Sequence, residues 1–477
     1  MKVVVPTAKD MRQIFFKQQR RKNLIPEHAV LTAHLNSEIE SIRAAITAET
    51  DHQAKADLST TMSQLLLEKK EVEDQFFTSQ AERVMDYILD QPTRVRLSKG
   101  NRQDREITTL NKRRPTLTLV DRYVALTLER VFEIRSVGRD HVIRNVLNAF
   151  RITQGSAEAN RTILKVDIKD CFKNVDHEKL LRKLSSHAGV PRFVLRHVRN
   201  VLEAYTRVYG ERKGLPQGVP SSSVLAEIYF ERLDGRMRMH PGVVMFVRYV
   251  DDMLIVCHGS ENPAVISVLD KELDNLSLQK NWDPGKSLVV SHPSSQESEI
   301  TYLGYRFLFS AGTGQLCGVD ISEMKYQRYA NALDNLYAFS QTGCCWSSEE
   351  HVGLFLNSFN YLVYPHYSKS HEDAPRIITG LAYSARYALH GYGSMQNLDQ
   401  IFTEAFHRFR PVLGKLLKGD PQKALCPCCN APVARAQELD EIRRKKRIGA
   451  DHFLRRESAR EHQDEQSREQ VRKLLWN

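Results

Sequence analysis

The 477-residue chain lacks several things that would define a class at once. It has no apolar run of membrane-spanning length, so no membrane partner is expected. Its eight cysteines are mostly scattered singly, as at Cys171, Cys257 and Cys317. Such spacing is not a disulfide framework and fits a reducing compartment. There is no internal repeat and no low-complexity segment. The opening stretch, MKVVVPTAKDMRQIFFKQQRRK, has only a few consecutive apolar residues and turns basic after them. A secretory signal has the reverse order, and a cytoplasmic location is the expectation.

What is present is an ordinary globular composition, 41% hydrophobic and 27% charged. The length allows about two to four structural units. Lysine and arginine number 69 against 58 aspartates and glutamates, a net charge of +11. That excess favours a polyanionic partner such as nucleic acid, with a merely basic soluble protein as the alternative.

Residues 30 to 90 lack proline and glycine and read as helix, ended by Gln91-Pro92. The basic stretch SKGNRQDREITTLNKRRP predicts a loop facing solvent or phosphate. Apolar segments studded with arginine follow from 115 to 150. ILKVDI (163–168) predicts a strand, and DHEKLLRKLSSH a helix capped by Asp176. VYGERKGLPQGVPSSS predicts a turn-rich loop. SVLAEIYFERLDGRM predicts a helix with Val224, Leu225, Ile228, Tyr229 and Leu233 on one face. VVMFVRY and MLIVCH predict strands, PAVISVLDKELDNL a helix, and SLVVS and EITYLGYRFLF further strands. Strand, two helices, two strands, helix and strand is the order of a split βαβ sheet. Beyond about 320 the pattern is mainly helical, with breaks at Pro365, Pro375, Gly391 and Gly393.

Within FVRYVDDMLIV, Asp251 and Asp252 stand side by side between strand-forming residues, where aspartate is depleted. A hairpin tip lets them protrude from an apolar ribbon, and their mutual repulsion calls for cations. Asp167 ends another apolar run, ILKV. Two neighbouring strand ends would bring Asp167 and Asp251 together as oxygen ligands suited to Mg²⁺. Two such ions about 3.5–4 Å apart can clamp a phosphoryl displacement. A solvated turn and a strand-end cap are the plain alternatives for either site taken alone.

Five segments in order make the chain resemble the reverse transcriptases, especially the bacterial group II intron, retron and defence-associated types. The resemblance covers about residues 110 to 310. VDIKDCF resembles the first catalytic motif of the palm, and implies Asp167 and the backbone of Ile168 as metal ligands. GLPQGVPSSSVLAEIYF resembles the loop and helix that hold template and nucleotide, with Gln217 and Gly218 in contact. RYVDD resembles the catalytic motif carrying Asp251 and Asp252. LSLQKNWDPGKS resembles the motif that ends in a lysine, here Lys286, placed at the leaving pyrophosphate. YLGYRF resembles the primer-grip hairpin, Tyr302, Leu303, Gly304 and Tyr305. Phe172 falls where the family sets an aromatic ring against the sugar, which implies exclusion of the ribose 2′-hydroxyl and use of deoxynucleotides. Asp170 falls near the triphosphate. Upstream, FEIRSVGRD resembles a fingers motif in which Arg135 or Arg139 clamps phosphates, with Arg122 assisting. Core packing for Phe172, a plain turn for the Pro-Gln-Gly segment, a loop lysine for Lys286 and structural ion pairs for the arginines remain the alternatives.

The resemblance implies an α+β right-hand polymerase with a helical N-terminal extension (1–95), fingers (96–160), a split-βαβ palm with fingers elements (161–310), a helical thumb (311–425) and a cysteine-containing charged tail (426–477). The implied function is RNA-directed DNA synthesis with two Mg²⁺ ions, Mn²⁺ being the alternative ion. The implied partners are an RNA template, dNTPs and the DNA product, with an oligomer or a partner protein left open. Intron and retron enzymes usually carry Ser-Pro and then Leu-x-Asn after the Pro-Gln-Gly segment. Here the text is SSSVLAEIYF, which looks more like the defence-associated, abortive-infection type. That variant implies antiviral defence with a noncoding RNA as template or partner. Template-independent or protein-primed DNA synthesis, an RNA polymerase on the same palm, a metal nuclease and a non-catalytic nucleic-acid-binding regulator are the competing functions. No intron maturase or HNH endonuclease segment is evident.

Cys426 and Cys429 in CPCCN have the spacing of half a zinc site. A second pair is missing, and His452 or Cys344-Cys345 are the candidates to complete it. A reduced cysteine cluster is the alternative. RRKKR (443–447) suits either nucleic acid or a solvated helix face.

Overall fold

A computed structural model of the chain describes residues 5–16, 26–90, 95–102, 105–110, 115–135, 138–152, 160–283, 285–292, 294–363, 366–368, 377–379, 387, 396–444, 460–461, 470–471 and 473–475. Gln91-Pro92, Pro365, Pro375, Gly391, Gly393, His452 and residues 445–447 of the basic run lie outside them.

The chain begins with helices α1 (Ala8–Phe16), α2 (Pro26–Ala48) and α3 (His52–Asp90), then the strands β1 (Leu97–Arg102) and β2 (Arg105–Leu110). Helices α4 (Pro115–Val131) and α5 (Arg139–Ile152) precede strand β3 (Arg161–Asp167). After a short helix, α6 (Cys171–Asn174), come α7 (His177–Ser186), α8 (Arg192–Tyr209) and α9 (Ser221–Arg238). Strands β4 (Val243–Tyr249) and β5 (Asp252–His258), helix α10 (Asn262–Asn275) and strand β6 (Leu288–His292) follow. A meander of β7 (Ser298–Tyr302), β8 (Tyr305–Phe309) and β9 (Leu316–Ile321) leads to α11 (Glu323–Ala338) and α12 (Glu349–Val363).

Strands β4, β5, β3 and β6 form one sheet in that order. Counted along the chain, the third strand lies between the first and second, which is the split βαβ arrangement the sequence pattern predicts. Helix α8 was not among the expected helices, although Val194, His197, Val198, Val201, Leu202 and Tyr205 bury one helical face. Pro191 precedes it and Gly210, at φ 83°, ends it in the left-handed region that favours glycine.

The chain divides into two compact units, residues 1–138, 166–253 and 261–287 in one, and 139–165, 254–260 and 288–477 in the other. In the first unit the expected single helix of residues 30 to 90 is two. The break is chemical: Glu49 Oε1 accepts from the Thr50 and Asp51 amides, and Asp51 then accepts from Ala54 N at 2.8 Å. An N-cap carboxylate of this kind starts a new helix without proline or glycine. Phe15, Phe77, Val84 and Tyr123 join α1, α3 and α4 in one apolar cluster. Each fully buried Phe there contributes about 1.5–3 kcal/mol.

The basic stretch expected as a loop is instead the antiparallel ribbon β1–β2, with Leu97 opposite Leu110 and Arg102 opposite Arg105. Its second strand has β-branched residues at Ile107, Thr108 and Thr109, and the cluster of Val95, Leu110, Leu117, Val201, Ala204 and Val219 anchors its base. Helix α7 begins as its sequence predicts, with the Asp176 carboxylate accepting from Lys179 N at 2.9 Å. Helix α9 lies against α10 and β4 and buries Val224, Leu225, Ile228, Tyr229 and Leu233 as expected. Its N-terminus is met by Asp121 of α4, fully buried, which accepts from Ser221 N at 2.8 Å and Ser221 Oγ at 2.7 Å. His197 Nε2 of α8 is 3.0 Å from the same carboxylate.

In the second unit β3 pairs antiparallel with β6, Arg161 opposite His292. Phe355, Phe359, Phe406, Phe409, Leu333 and Leu336 form the core of its helical part, under α11, α12 and the helix Gln396–Leu416. Arg443 and Arg444 of the basic run end the helix Ala436–Arg444 and both pair with Asp440 at 2.5 Å, so these two serve the helix. No helix among the described residues is long and apolar enough to cross a membrane.

Candidate active site

The carboxylates sit where the sheet's central strands end. Asp167 is the last residue of β3 and is only 7% exposed. Asp252 is the first residue of β5, and Asp251 precedes it in the two-residue turn from β4. Both are half-buried. Strands β3 and β5 are neighbours, so the sheet sets these acidic ends side by side. Beneath them lies the Cys171 thiol, which burial and then the negative charge of Asp251 push up to about 12. Glu227 and Asp167 add to that charge.

Asp167 is held from the segment after α10. Asn281 donates its side-chain amide to Asp167 Oδ2 at 2.8 Å and its backbone amide to the Asp167 carbonyl at 2.8 Å. Asp167 N donates to Ser287 Oγ at 3.3 Å. Ile168 forms a bridge to Lys280, and Lys169 N donates to the Gln279 carbonyl at 2.9 Å. Lys286 Nζ stands 3.9 Å from Asp167 Oδ1. Lys286 therefore faces the carboxylate itself.

The turn that carries Asp251 is strained. Val250 has φ 64°, where type II′ turns place glycine and where a β-branched residue is an outlier. Such a conformation costs about 1–3 kcal/mol and persists only when its surroundings fix it. Arg248 does so: Nη1 donates to the Val250 carbonyl at 2.9 Å. Its other nitrogens hold Glu227 Oε2 at 2.6 Å and Asp234 at 2.7 and 2.8 Å. The guanidinium also lies 4.6 Å from the Phe230 ring centroid. Burial alone would lower its pKa, and the Asp234 and Glu227 carboxylates reverse that.

Phe172 is half-buried in α6, and its carbonyl accepts from Leu215 N at 2.6 Å. That bond fastens the Pro-Gln-Gly loop to the segment following Asp167. Gln217 and Gly218 are exposed, and the Gln217 carbonyl accepts from Thr108 N of β2 at 2.7 Å. Gly218 has φ 115°, and a Cβ there would lie 3.1 Å from the Thr108 carbonyl. The close approach this glycine permits is to the ribbon β1–β2. Asp170, at φ 47°, precedes α6 and pairs with Lys173 at 3.1 Å. Arg135 is exposed after α4, and Arg122 is half-buried on α4.

The remaining expected residues belong to the second unit. Tyr302 and Tyr305 are buried to 1% and 2% exposure, and Leu303 and Gly304 form the turn between β7 and β8 at φ 46° and 76°. Arg139 donates to the Leu303 carbonyl and lies 5.9 Å from the Tyr305 ring centroid. Its guanidinium thus clasps the hairpin turn. Lys325 packs on the same ring, and burial with the charges of Arg139 and Arg328 pushes it down to about 7. Cys426 and Cys429 meet Cys345 and Cys428.

Asn281, Ser287, Glu227, Arg248 and Asp234 were not singled out as site residues by sequence reasoning. Arg248 and Asn281 lie inside the quoted motifs, so a hydrogen-bonding role for every polar residue in those motifs was the available signal.

The donor set that Asp167, Asp251 and Asp252 present at the sheet ends is carboxylate oxygen, and burial with the surrounding negative charge pushes the Cys171 thiol up. Such a set fits a hard cation with oxygen ligands, Mg²⁺ or Mn²⁺. The split sheet is that of a right-hand polymerase. Residues 110–307 match the family model described as reverse transcriptase (RNA-dependent DNA polymerase). The chain carries a reverse transcriptase domain, the domain of RNA-directed DNA polymerases, which are nucleotidyltransferases. A search of curated proteins finds no match. Solved structures that the chain is similar to include telomerase from Candida albicans in complex with a fragment of telomeric RNA, 13% identical at a TM-score of 0.38, covering 78% of this chain and 74% of that one. Apo telomerase from Candida tropicalis truncated from its C-terminal domain is 11% identical at a TM-score of 0.36, covering 49% of this chain. The match spans 55% of the length of that truncated telomerase.

Proposed function

We propose that the chain is a template-directed DNA polymerase that copies RNA. The observation that carries this reading is the meeting of Asp167 with Asp251 and Asp252 at the ends of adjacent strands inside a reverse transcriptase domain. A primer hydroxyl attacks the α-phosphate of a deoxynucleotide and pyrophosphate leaves. Asp167, Asp251, Asp252 and the Ile168 carbonyl would hold two Mg²⁺ ions, which supply charge stabilisation to the attacking and leaving oxygens. Asn281 keeps Asp167 in place. Arg248 keeps the Asp251 turn in place. Lys286 neutralises the acidic site and the departing pyrophosphate. Phe172 stands against the sugar and rejects a 2′-hydroxyl, and Gln217 and Gly218 face template and nucleotide.

In this reading residues 96–160 act as fingers, 161–310 as palm and 311–425 as thumb, beside an N-terminal extension (1–95) and a tail (426–477). The net charge of +11 supports duplex binding through phosphates, with salt-sensitive affinity. The Leu-Ala-Glu variant supports a place among the bacterial defence-associated enzymes, acting in the cytoplasm with a noncoding RNA as template or partner. The test incubates the purified full chain with Mg²⁺, a primed RNA template and labelled dNTPs or NTPs. Template-dependent dNTP incorporation that Asp251→Asn abolishes is the expected result. Incorporation of NTPs only, or equal incorporation by the variant, overturns the reading. Sequencing of co-purifying RNA and DNA tests the dedicated template, and random cellular RNA without cDNA would count against it.

A further inference from the structure

The second unit contains a side-chain cluster that polymerase chemistry does not use. The turn from Leu425 to Pro432 closes with an antiparallel bridge between these two residues. Inside it Cys426 N donates to the Ala431 carbonyl at 2.8 Å, and Asn430 N donates to the Cys426 carbonyl at 2.9 Å. Asn430 sits at φ 56°, a left-handed position that asparagine tolerates. The turn thus gathers Cys426, Cys428 and Cys429. From 84 residues earlier comes Cys345, whose Sγ is 3.9 Å from Cys429 Sγ and 3.4 Å from Cys428 Sγ. All four sulfurs lie within 4.8 Å of one another.

We propose that Cys345, Cys426, Cys428 and Cys429 bind one structural zinc ion. A zinc ion with thiolates at about 2.3 Å has sulfurs at the corners of a tetrahedron with edges of about 3.8 Å. The separations of 3.2 Å for Cys426–Cys428, 3.4 Å and 3.9 Å bracket that edge. They are far from the about 2.05 Å of a disulfide. Cys344, the neighbour of Cys345, does not belong to the group of four.

The frame that delivers Cys345 is built for the purpose. Cys345 N donates to His351 Nδ1 at 3.0 Å, and Ala434 N donates to the Trp346 carbonyl at 2.8 Å. Trp346 is buried against Phe355, with ring centroids 5.2 Å apart. The segment is therefore fixed from both sides of the cysteine. Ser347 Oγ lies 3.0 Å from Cys429 Sγ and 3.3 Å from Cys345 Sγ, where its hydroxyl can donate to a thiolate. Zinc is held by four thiolates, so binding releases to solvent whatever protons the thiols still carry and leaves a site of net charge −2. With all four positions taken by protein sulfurs the site is closed, which marks it as structural. Its effect is to pin the segment before α12 to the turn after the helix Gln396–Leu416.

The test is elemental analysis of the full chain purified without chelator. One zinc per chain is expected in the wild type and in Cys317→Ser, an exposed cysteine outside the cluster. Cys428→Ser and Cys345→Ser should retain less than about a tenth of that zinc. Because these variants could misfold, wild-type protein stripped and reloaded with Co²⁺ gives a second readout. A sulfur-to-cobalt charge-transfer band with tetrahedral ligand-field bands is expected. Iron in place of zinc, a disulfide among the four cysteines, or wild-type protein that holds no metal as purified and takes up neither Zn²⁺ nor Co²⁺ overturns the proposal. Metal content is read without reference to polymerase activity.

Discussion

Arg248 Nη2 lies 2.6 Å from Glu227 Oε2, joining the strand that leads into the Asp251 turn to helix α9. Glu227 of the Leu-Ala-Glu segment therefore has a local structural role. Glu227 completes the hold on an arginine whose other end fixes the Val250 carbonyl.

Glu227→Ala should lower kcat about tenfold with KM for dNTP little changed, because Arg248 keeps Asp234 but loses one of two carboxylate anchors. Glu227→Gln should fall between, since a neutral acceptor remains. Arg248→Ala should cost about 3 kcal/mol of stability, because it leaves the buried Asp234 with only the exposed Arg238, 3.8 Å away. Steady-state kinetics and denaturant titration check these, and an unchanged kcat in Glu227→Ala would remove the positioning role.

Asn281→Asp should inactivate more severely than Asn281→Ala. The new carboxylate would stand where an amide now donates to Asp167 at 2.8 Å, setting like charges together. A Mg²⁺ titration should show a lower half-saturating Mg²⁺ for the aspartate variant only, because the added charge attracts the cation. Equal curves for the two variants would mean that Asn281 acts through packing.

Phe172→Ala should raise the kcat/KM for NTPs relative to dNTPs by on the order of 10–100-fold, by opening space for a 2′-hydroxyl. Competition assays on one template measure the ratio directly. If the ratio stays fixed while overall activity falls, the ring is core and not a gate.

His292 should make the chain acid-labile. Burial, with the Arg161 charge adding to it, lowers its pKa from 6.5 to about 4. The unfolded chain takes up this proton as pH falls through 6.5, and the folded one does so only near 4. The stabilisation is complete above 6.5 and is lost as pH falls toward 4. His292→Phe should flatten this part of the profile of Tm against pH, and a slope identical to wild type would assign the lability elsewhere.

Much of the sheet was legible because its strands are apolar runs interrupted by aspartates that apolar strands otherwise avoid. Asp167, Asp251 and Asp252 fall at strand ends for that reason. The groups that hold them were less legible, since Asn281 and Arg248 act through bonds to backbone and carboxylates that only the folded chain brings close. The ribbon β1–β2 escaped because its charged residues outnumber its strand formers, and its pairing depends on the cluster at its base. Asp121 gave no local signal either, its partners Ser221 and His197 being remote in sequence. The cysteines showed the opposite fault: Cys426 and Cys429 advertised half a site, and Cys345 was one of two neighbours with equal claim.

The bond from Thr108 N to the Gln217 carbonyl links two backbones. Side-chain replacement at either end therefore leaves the attachment intact, and evolution can vary the ribbon's surface without letting go of the loop. Only an imino acid at position 108 would sever it. The exposed ribbon residues Ser98 and Lys99 can thus change while the Gln217 backbone stays in register.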